Sequence, residues 1–142
     1  MNISDILINK LKAFEGYRCK AYRCAAGVWT CGYGHTHGVT PRTTCNESLA
    51  EAWLRSDLRP IERFLSSIPE ITKTQGRFDA CADFCYNLGI GAFKASTLFK
   101  RIQRNDTLEA IQAEFLKWVY AGGKQLEGLK TRRQWEAQRF AE

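Results

Sequence analysis

Residues 14–41 read FEGYRCKAYRCAAGVWTCGYGHTHGVTP, and the order of residues in this stretch decides how the rest of the chain is understood. An apolar stripe at helical spacing (Ile6, Leu7, Leu11, Phe14), capped by Ser4 or Asp5, predicts a first helix that ends at Glu15-Gly16. From Ala21 to Val39 the pattern changes to alternation punctuated by glycine, which predicts two or three short antiparallel strands. Period 2 in residues 28–33 puts Val28, Thr30 and Gly32 on one face and Trp29, Cys31 and Tyr33 on the other. Within 28 residues lie five of the eleven glycines, three of the six cysteines and both histidines, His35 and His37. A single carboxylate at a helix end facing a glycine-rich hairpin fits a catalytic wall, and on these residues alone it equally fits a capped turn.

Outward from this stretch the chain reads as helical. Asn46 caps a second helix carrying Leu49, Trp53, Leu58, Ile61 and Leu65, with Pro60 as a kink or break. Thr74 caps a third helix through Leu88, with Phe78, Cys81, Ala82 and Cys85 on its apolar side. Gly89 and Gly91 precede a fourth, over residues 94–104. Asp106 or Thr107 opens a fifth, bearing Leu108, Ile111, Phe115 and Trp118. Ala121-Gly122-Gly123 reads as a loop, and a last helix runs from Leu126 or Glu127 to Phe140. No internal repeat or low-complexity tract interrupts the pattern.

A chain of 142 residues, 25% charged and 44% hydrophobic, is sized for one globular domain. The net charge of +6 favours polyanions such as an acidic cell wall. No basic stripe with interleaved aromatics points to nucleic acid. No apolar run reaches the ~18 residues of a membrane span and no signal-peptide layout is visible, so synthesis in the cytoplasm is expected. The cysteines at 19, 24, 31, 45, 81 and 85 form no C-x-x-C, and the histidines stand apart from them, so no metal site is expected.

The ordered motifs Phe14-Glu15-Gly16, Lys20-Ala21-Tyr22-Arg23-Cys24 and Gly27-Val28-Trp29-Thr30-Cys31-Gly32-Tyr33-Gly34-His35-Thr36 resemble the phage-type lysozymes (endolysins), muramidases of a glycoside hydrolase family. Their motif runs from a glutamate in F-E-G through K-A-Y-x-D to G-x-x-T-x-G-Y-G-H-T. The resemblance continues through Phe78-Asp79-Ala80, Tyr86-Asn87-Leu88-Gly89, Gly91-Ala92-Phe93, Ser96-Thr97-Leu98, Trp118 and Ala121-Gly122-Gly123-Lys124 to Gly128-Leu129-Lys130-Thr131-Arg132-Arg133. One departure matters: the family's second catalytic residue, an aspartate, is replaced by Cys24. The other five cysteines fall where the family carries small or apolar residues and read as small buried hydrophobes.

The resemblance implies a lysozyme-like α+β fold, mainly helical, with two lobes around a cleft and a small antiparallel β-element near the N-terminus. A single domain over 1–142 would comprise a β-containing lobe at about 14–60 and a helical lobe at about 70–142 plus the N-terminal helix. It implies hydrolysis of the β-1,4 bond between N-acetylmuramic acid and N-acetylglucosamine in peptidoglycan during host cell lysis. Glu15 would be the general acid, with its pKa raised by apolar neighbours such as Phe14, Tyr17 and Trp29. Thr30 would help hold the attacking water, although its β-propensity alone explains a threonine on a strand.

Cys24 remains open between a catalytic thiolate favoured by Arg18, Lys20 and Arg23, a structural or redox-regulated thiol pairing with Cys19 or Cys31, and a lost catalytic group. Sugar contacts are implied at Thr36, Tyr86, Asn87, Ser96 and Gln112. No cofactor is implied. The expected partners are peptidoglycan and, functionally, a holin that gives a monomer made in the host cytoplasm access to the periplasm. The alternative is a catalytically weak peptidoglycan-binding domain that kept the fold.

Overall fold

The computed structural model describes residues 1–142. Seven helices and two small antiparallel hairpins make up the chain, in the mainly helical α+β class. It divides into two compact units: Ile8–Pro60, and Met1–Leu7 with Ile61–Glu142.

Helix α1 (Asp5–Glu15) begins where expected, since Ser4 Oγ accepts the Leu7 amide at 3.2 Å. In the Ile8–Pro60 unit, Gly16 (φ 71°) turns the chain from α1 into strand β1 (Arg18–Arg23). This strand pairs with β2 (Trp29–Gly32) through Tyr22↔Thr30 and Arg23↔Trp29. The register shifts between Arg18 and Tyr22. Helix α2 (Glu47–Ser66) starts with Asn46 Oδ1 accepting the Leu49 amide at 2.8 Å. Pro60 lies inside α2 without ending it, at an exposed position. Gly32 (φ 68°) lets β2 approach α2: a Cβ there would stand 3.0 Å from the Ala50 Cβ and 3.3 Å from the Trp53 ring. His35 stacks on Trp53 with ring centroids 4.6 Å apart, and its Nδ1 lies 2.7 Å from Asp57 Oδ2. Leu11, Cys31, Ala50, Leu54 and Leu58 are buried in the same unit.

The other unit is built on α3 (Gln75–Leu88) and α7 (Glu127–Phe140), with α4 (Ile90–Ala95), α5 (Thr97–Gln103) and α6 (Leu108–Phe115) around them. The single helix expected over 94–104 is two helices. Ser96 takes an extended conformation (φ −77°, ψ 153°) and caps α5 by accepting the Phe99 amide. The loop expected at 121–123 is the turn of a hairpin, β3 (Tyr120–Ala121) with β4 (Lys124–Gln125). Gly122 (φ 58°) and Gly123 (φ 77°) supply its two left-handed positions. Edge-to-face packing of Phe84 with Phe93, Phe115 and Trp118 fills the core.

Charges are buried in pairs between α3 and α7. Arg132 binds Asp83 through Nε and Nη2, both at 2.9 Å, and Arg139 binds Asp79, which also accepts from the Ser4 amide and hydroxyl. Burial, with Asp83 beside it, pushes the Glu136 carboxyl well above the usual range, against the pull of Arg133. No helix is long and apolar enough to cross a membrane.

Candidate active site

Glu15 is the last residue of α1, half-buried, in the Ile8–Pro60 unit that also holds Cys24, Thr30 and Thr36. The β1–β2 hairpin sets the last three. Cys24 follows β1 and opens a tight connection: its carbonyl accepts the Gly27 amide at 2.8 Å and its amide donates to Val28 O at 3.0 Å. Gly27 at φ 79° permits that turn. Cross-strand pairing of Tyr22 with Thr30 then seats the buried Thr30 next to Cys24.

This connection acts on the sulfur. The Cys24 thiol is held below its ordinary value, first by the Val28 amide and then by the Ala26 amide; burial opposes them, and the Thr30 hydroxyl adds a smaller lowering. The Gly27 amide between them is committed to the Cys24 carbonyl, so the two amides that favour the thiolate come from alternate residues of the turn. A carboxylate would accept the same N–H groups. Thr30 Oγ1 donates to Val28 O at 2.9 Å, and a hydroxyl has one proton. That proton serves either the Val28 carbonyl or the Cys24 thiolate, so rotation of one hydroxyl couples the state of Cys24 to Thr30.

Cys19 sits near the start of β1 and Cys24 just past its end. At ~3.3 Å per residue the strand holds them well beyond the ~7 Å between Cα atoms that a disulfide tolerates. Cys31, the other partner considered for Cys24, is fully buried and has its sulfur 3.6 Å from that of Cys45. Thr36 is exposed, its carbonyl accepting the Val39 amide. No group of three or more His, Cys, Asp or Glu residues is arranged to hold a metal ion.

The remaining sugar-binding candidates lie in the other unit. Tyr86 and Asn87 are half-buried near the C-terminal end of α3. Asn87 Oδ1 accepts from Arg133 Nη2 at 2.6 Å. Ser96 is buried, and its hydroxyl donates to Phe93 O at 2.6 Å while capping α5. Gln112 Nε2 donates to Ala137 O at 2.9 Å, tying α6 to α7.

The sequence matches the phage lysozyme family over residues 12–136, which includes Glu15, Cys24, Thr30 and every other site candidate. The chain belongs to the phage lysozyme family. The endolysin of Acyrthosiphon pisum secondary endosymbiont phage 1 is 40% identical over 144 residues, covering 99% of this chain and 98% of that one. The endolysin of Bacillus phage B103 is also 40% identical, over 143 residues, but this chain spans only 54% of its length. Among solved structures, the muramidase domain of SpmX from Asticaccaulis excentricus superposes with a TM-score of 0.90 at 31% identity, covering 99% of this chain and 98% of that one. This phage lysozyme is therefore an enzyme of the lysozyme class with a muramidase-type, peptidoglycan-lytic role.

Arg133 was not among the residues singled out for the site, yet it is the one that fixes Asn87. It carries no exposure, and its Nη1 has no protein partner. In the sequence its only signal is the Arg132-Arg133 pair within a helical stretch that has apolar neighbours.

Proposed function

We propose that this phage lysozyme hydrolyses the β-1,4 bond between N-acetylmuramic acid and N-acetylglucosamine in bacterial peptidoglycan, with Glu15 as general acid and Cys24 and Thr30 serving the water and the transition state. The reading is carried by the Cys24–Thr30 pair on the hairpin, where backbone amides favour the thiolate. Glu15 would give its proton to the glycosidic oxygen as the C1–O bond breaks. The cationic, oxocarbenium-like centre would be met by the Cys24 thiolate, an anion in the position the family gives to aspartate. Thr30 would accept a hydrogen bond from the incoming water while its own proton turns to Cys24. An acid on one face and a water on the other invert the anomeric carbon. No cofactor is needed in this scheme.

Thr36, Tyr86, Asn87, Ser96 and Gln112 are proposed sugar-binding positions. Asn87 is the best prepared of these, because Arg133 occupies its carbonyl and leaves its amide protons as donors. The hydroxyl of Ser96 is engaged within the fold, so its contribution would come through the shape of the α4–α5 junction. We further propose a single lysozyme-like domain that acts as a monomer, is made in the host cytoplasm, and lyses the host once a holin admits it to the periplasm.

The test is digestion of purified peptidoglycan, with the products separated and the anomer of the new reducing end read by NMR during the first minutes. New muramic acid reducing ends of inverted configuration are expected. Binding to the walls without new reducing ends would favour the catalytically weak binding domain.

A further inference from the structure

The geometry points to Cys31 and Cys45 as a built-in oxidation site: a dithiol that becomes one intrachain disulfide by exchange with a small-molecule or protein disulfide. Their sulfurs are 3.6 Å apart, and each lies 3.6 Å from the Arg18 carbonyl, so both side chains converge on one point of β1. A disulfide requires about 2.05 Å between the sulfurs. The sulfurs must therefore close by about 1.5 Å to form the bond. The backbone around the pair is already ordered: the Cys45 amide donates to Cys19 O at 2.9 Å, Lys20 bridges to Thr44, and Tyr17 Oη donates to Cys45 O at 3.3 Å. Of the six free cysteines, Cys31 and Cys45 are the two whose sulfurs lie within hydrogen-bond reach of each other.

The two members differ in access. Cys31 is fully buried on β2, whereas Cys45 is half-buried just before α2. An incoming disulfide meets Cys45 first. The Cys45 thiolate attacks it, forming a mixed disulfide and releasing the first thiolate of the oxidant. The Cys31 thiolate then attacks the Cys45 sulfur, forming the intrachain bond and expelling the second. Two electrons pass from the protein thiols to the oxidant, and the two protons lost by the thiols are taken up by its thiolates. Burial, with the Cys31 thiol beside it, pushes the Cys45 thiol up to about 11. At neutral pH Cys45 is therefore a protonated, slowly reacting thiol, which stays reduced until an oxidant is supplied.

The bond would close a loop between residues 14 apart, tying β2 at the neighbour of Thr30 to the start of α2. A loop of that length lowers the unfolding equilibrium constant by about a hundredfold. Cys24 takes no part. The pairing rests on the thiol geometry and does not depend on the catalytic roles proposed above.

The experiment treats the reduced full-length protein with oxidised glutathione at pH 8.5, then removes the oxidant. It compares wild type with Cys45→Ser by intact mass, by non-reducing peptide mapping and by urea unfolding. Wild type is expected to lose two hydrogens, to yield a linked 31–45 peptide, and to unfold at higher urea than its reduced form. Cys45→Ser should form no intrachain link while folding normally when reduced. A link through Cys24, glutathione adducts with Cys31 still free, or a 31–45 link that leaves the urea midpoint unchanged would each overturn the inference.

Discussion

The Thr30 hydroxyl faces the Cys24 sulfur across the β1–β2 hairpin, held there by the pairing of Tyr22 with Thr30 and by the tight connection through Gly27. Both residues belong to one short supersecondary element. Their relative placement is set locally, and a change at either should be felt by the other.

The pH dependence of lysis should report Cys24. Its thiol is held below the ordinary cysteine value, so the thiolate is present above that lowered pKa and is lost as pH falls through it. Wild-type activity should therefore fall on an acid limb set by the thiol. Cys24→Asp should keep activity and carry that limb toward the carboxylate range near 4. Cys24→Ala should lose most activity at every pH. Superimposable profiles for all three would remove Cys24 from the chemistry.

Removing Arg132 should be costly, because it would leave the fully buried Asp83 carboxylate without its bidentate partner. Arg132→Met is expected to lose about 3–5 kcal/mol in urea unfolding. The double change with Asp83→Leu should recover most of that loss. A single variant within about 1 kcal/mol of wild type would contradict the pairing.

Gly76 marks where α3 meets the C-terminal end of α7. A Cβ there would stand 2.2 Å from the Arg139 carbonyl oxygen and 2.9 Å from the Glu142 carbonyl carbon, both backbone atoms. Gly76→Ala should cost about 1–3 kcal/mol through overpacking, despite the better helix propensity of alanine. Differential scanning calorimetry should show a lower Tm.

Lysis of anionic walls should weaken as salt rises, since screening shortens electrostatic reach to about 8 Å at physiological ionic strength and the chain carries +6. Lys130, Arg132 and Arg133 cluster in the sequence, but the two arginines are not the source. Arg132 and Arg133 are buried against Asp83 and Glu136, and only the remaining surface cations are available. Exposed cations near the hairpin, Arg18, Lys20 and Arg23, are the better targets for charge reversal. A flat salt profile for wall binding would count against electrostatic attraction.

What the sequence made legible was local. Ser4, Asn46, Thr74 and Thr107 all accept the backbone amides expected of helix caps, because capping needs only neighbours three residues away. The His35–Asp57 pair joins residues 22 apart, and no local pattern announces it. The Gly122-Gly123 hairpin was missed although the dipeptide is a known turn signal, because its strands are two residues long and carry no alternation. The break at Ser96 was missed because serine is tolerated inside a helix and only its extended backbone reveals the cap. The buried arginines and the Cys31–Cys45 pair were hidden for another reason. Asp83 and Asp79, the partners of Arg132 and Arg139, lie on another helix tens of residues away, Cys31 and Cys45 lie on different elements, and no periodicity along one segment encodes either meeting.

The most direct measurement is the rate of reducing-end release from purified peptidoglycan by Glu15→Gln against wild type, with folding of both checked by circular dichroism. The substitution keeps the side-chain shape and removes the proton to be donated. The account predicts a folded protein that still binds the walls and is slower by roughly 10² or more. A folded Glu15→Gln enzyme that cleaves at near wild-type rate would contradict the assignment of Glu15 as the acid, and with it the mechanism proposed for the hairpin.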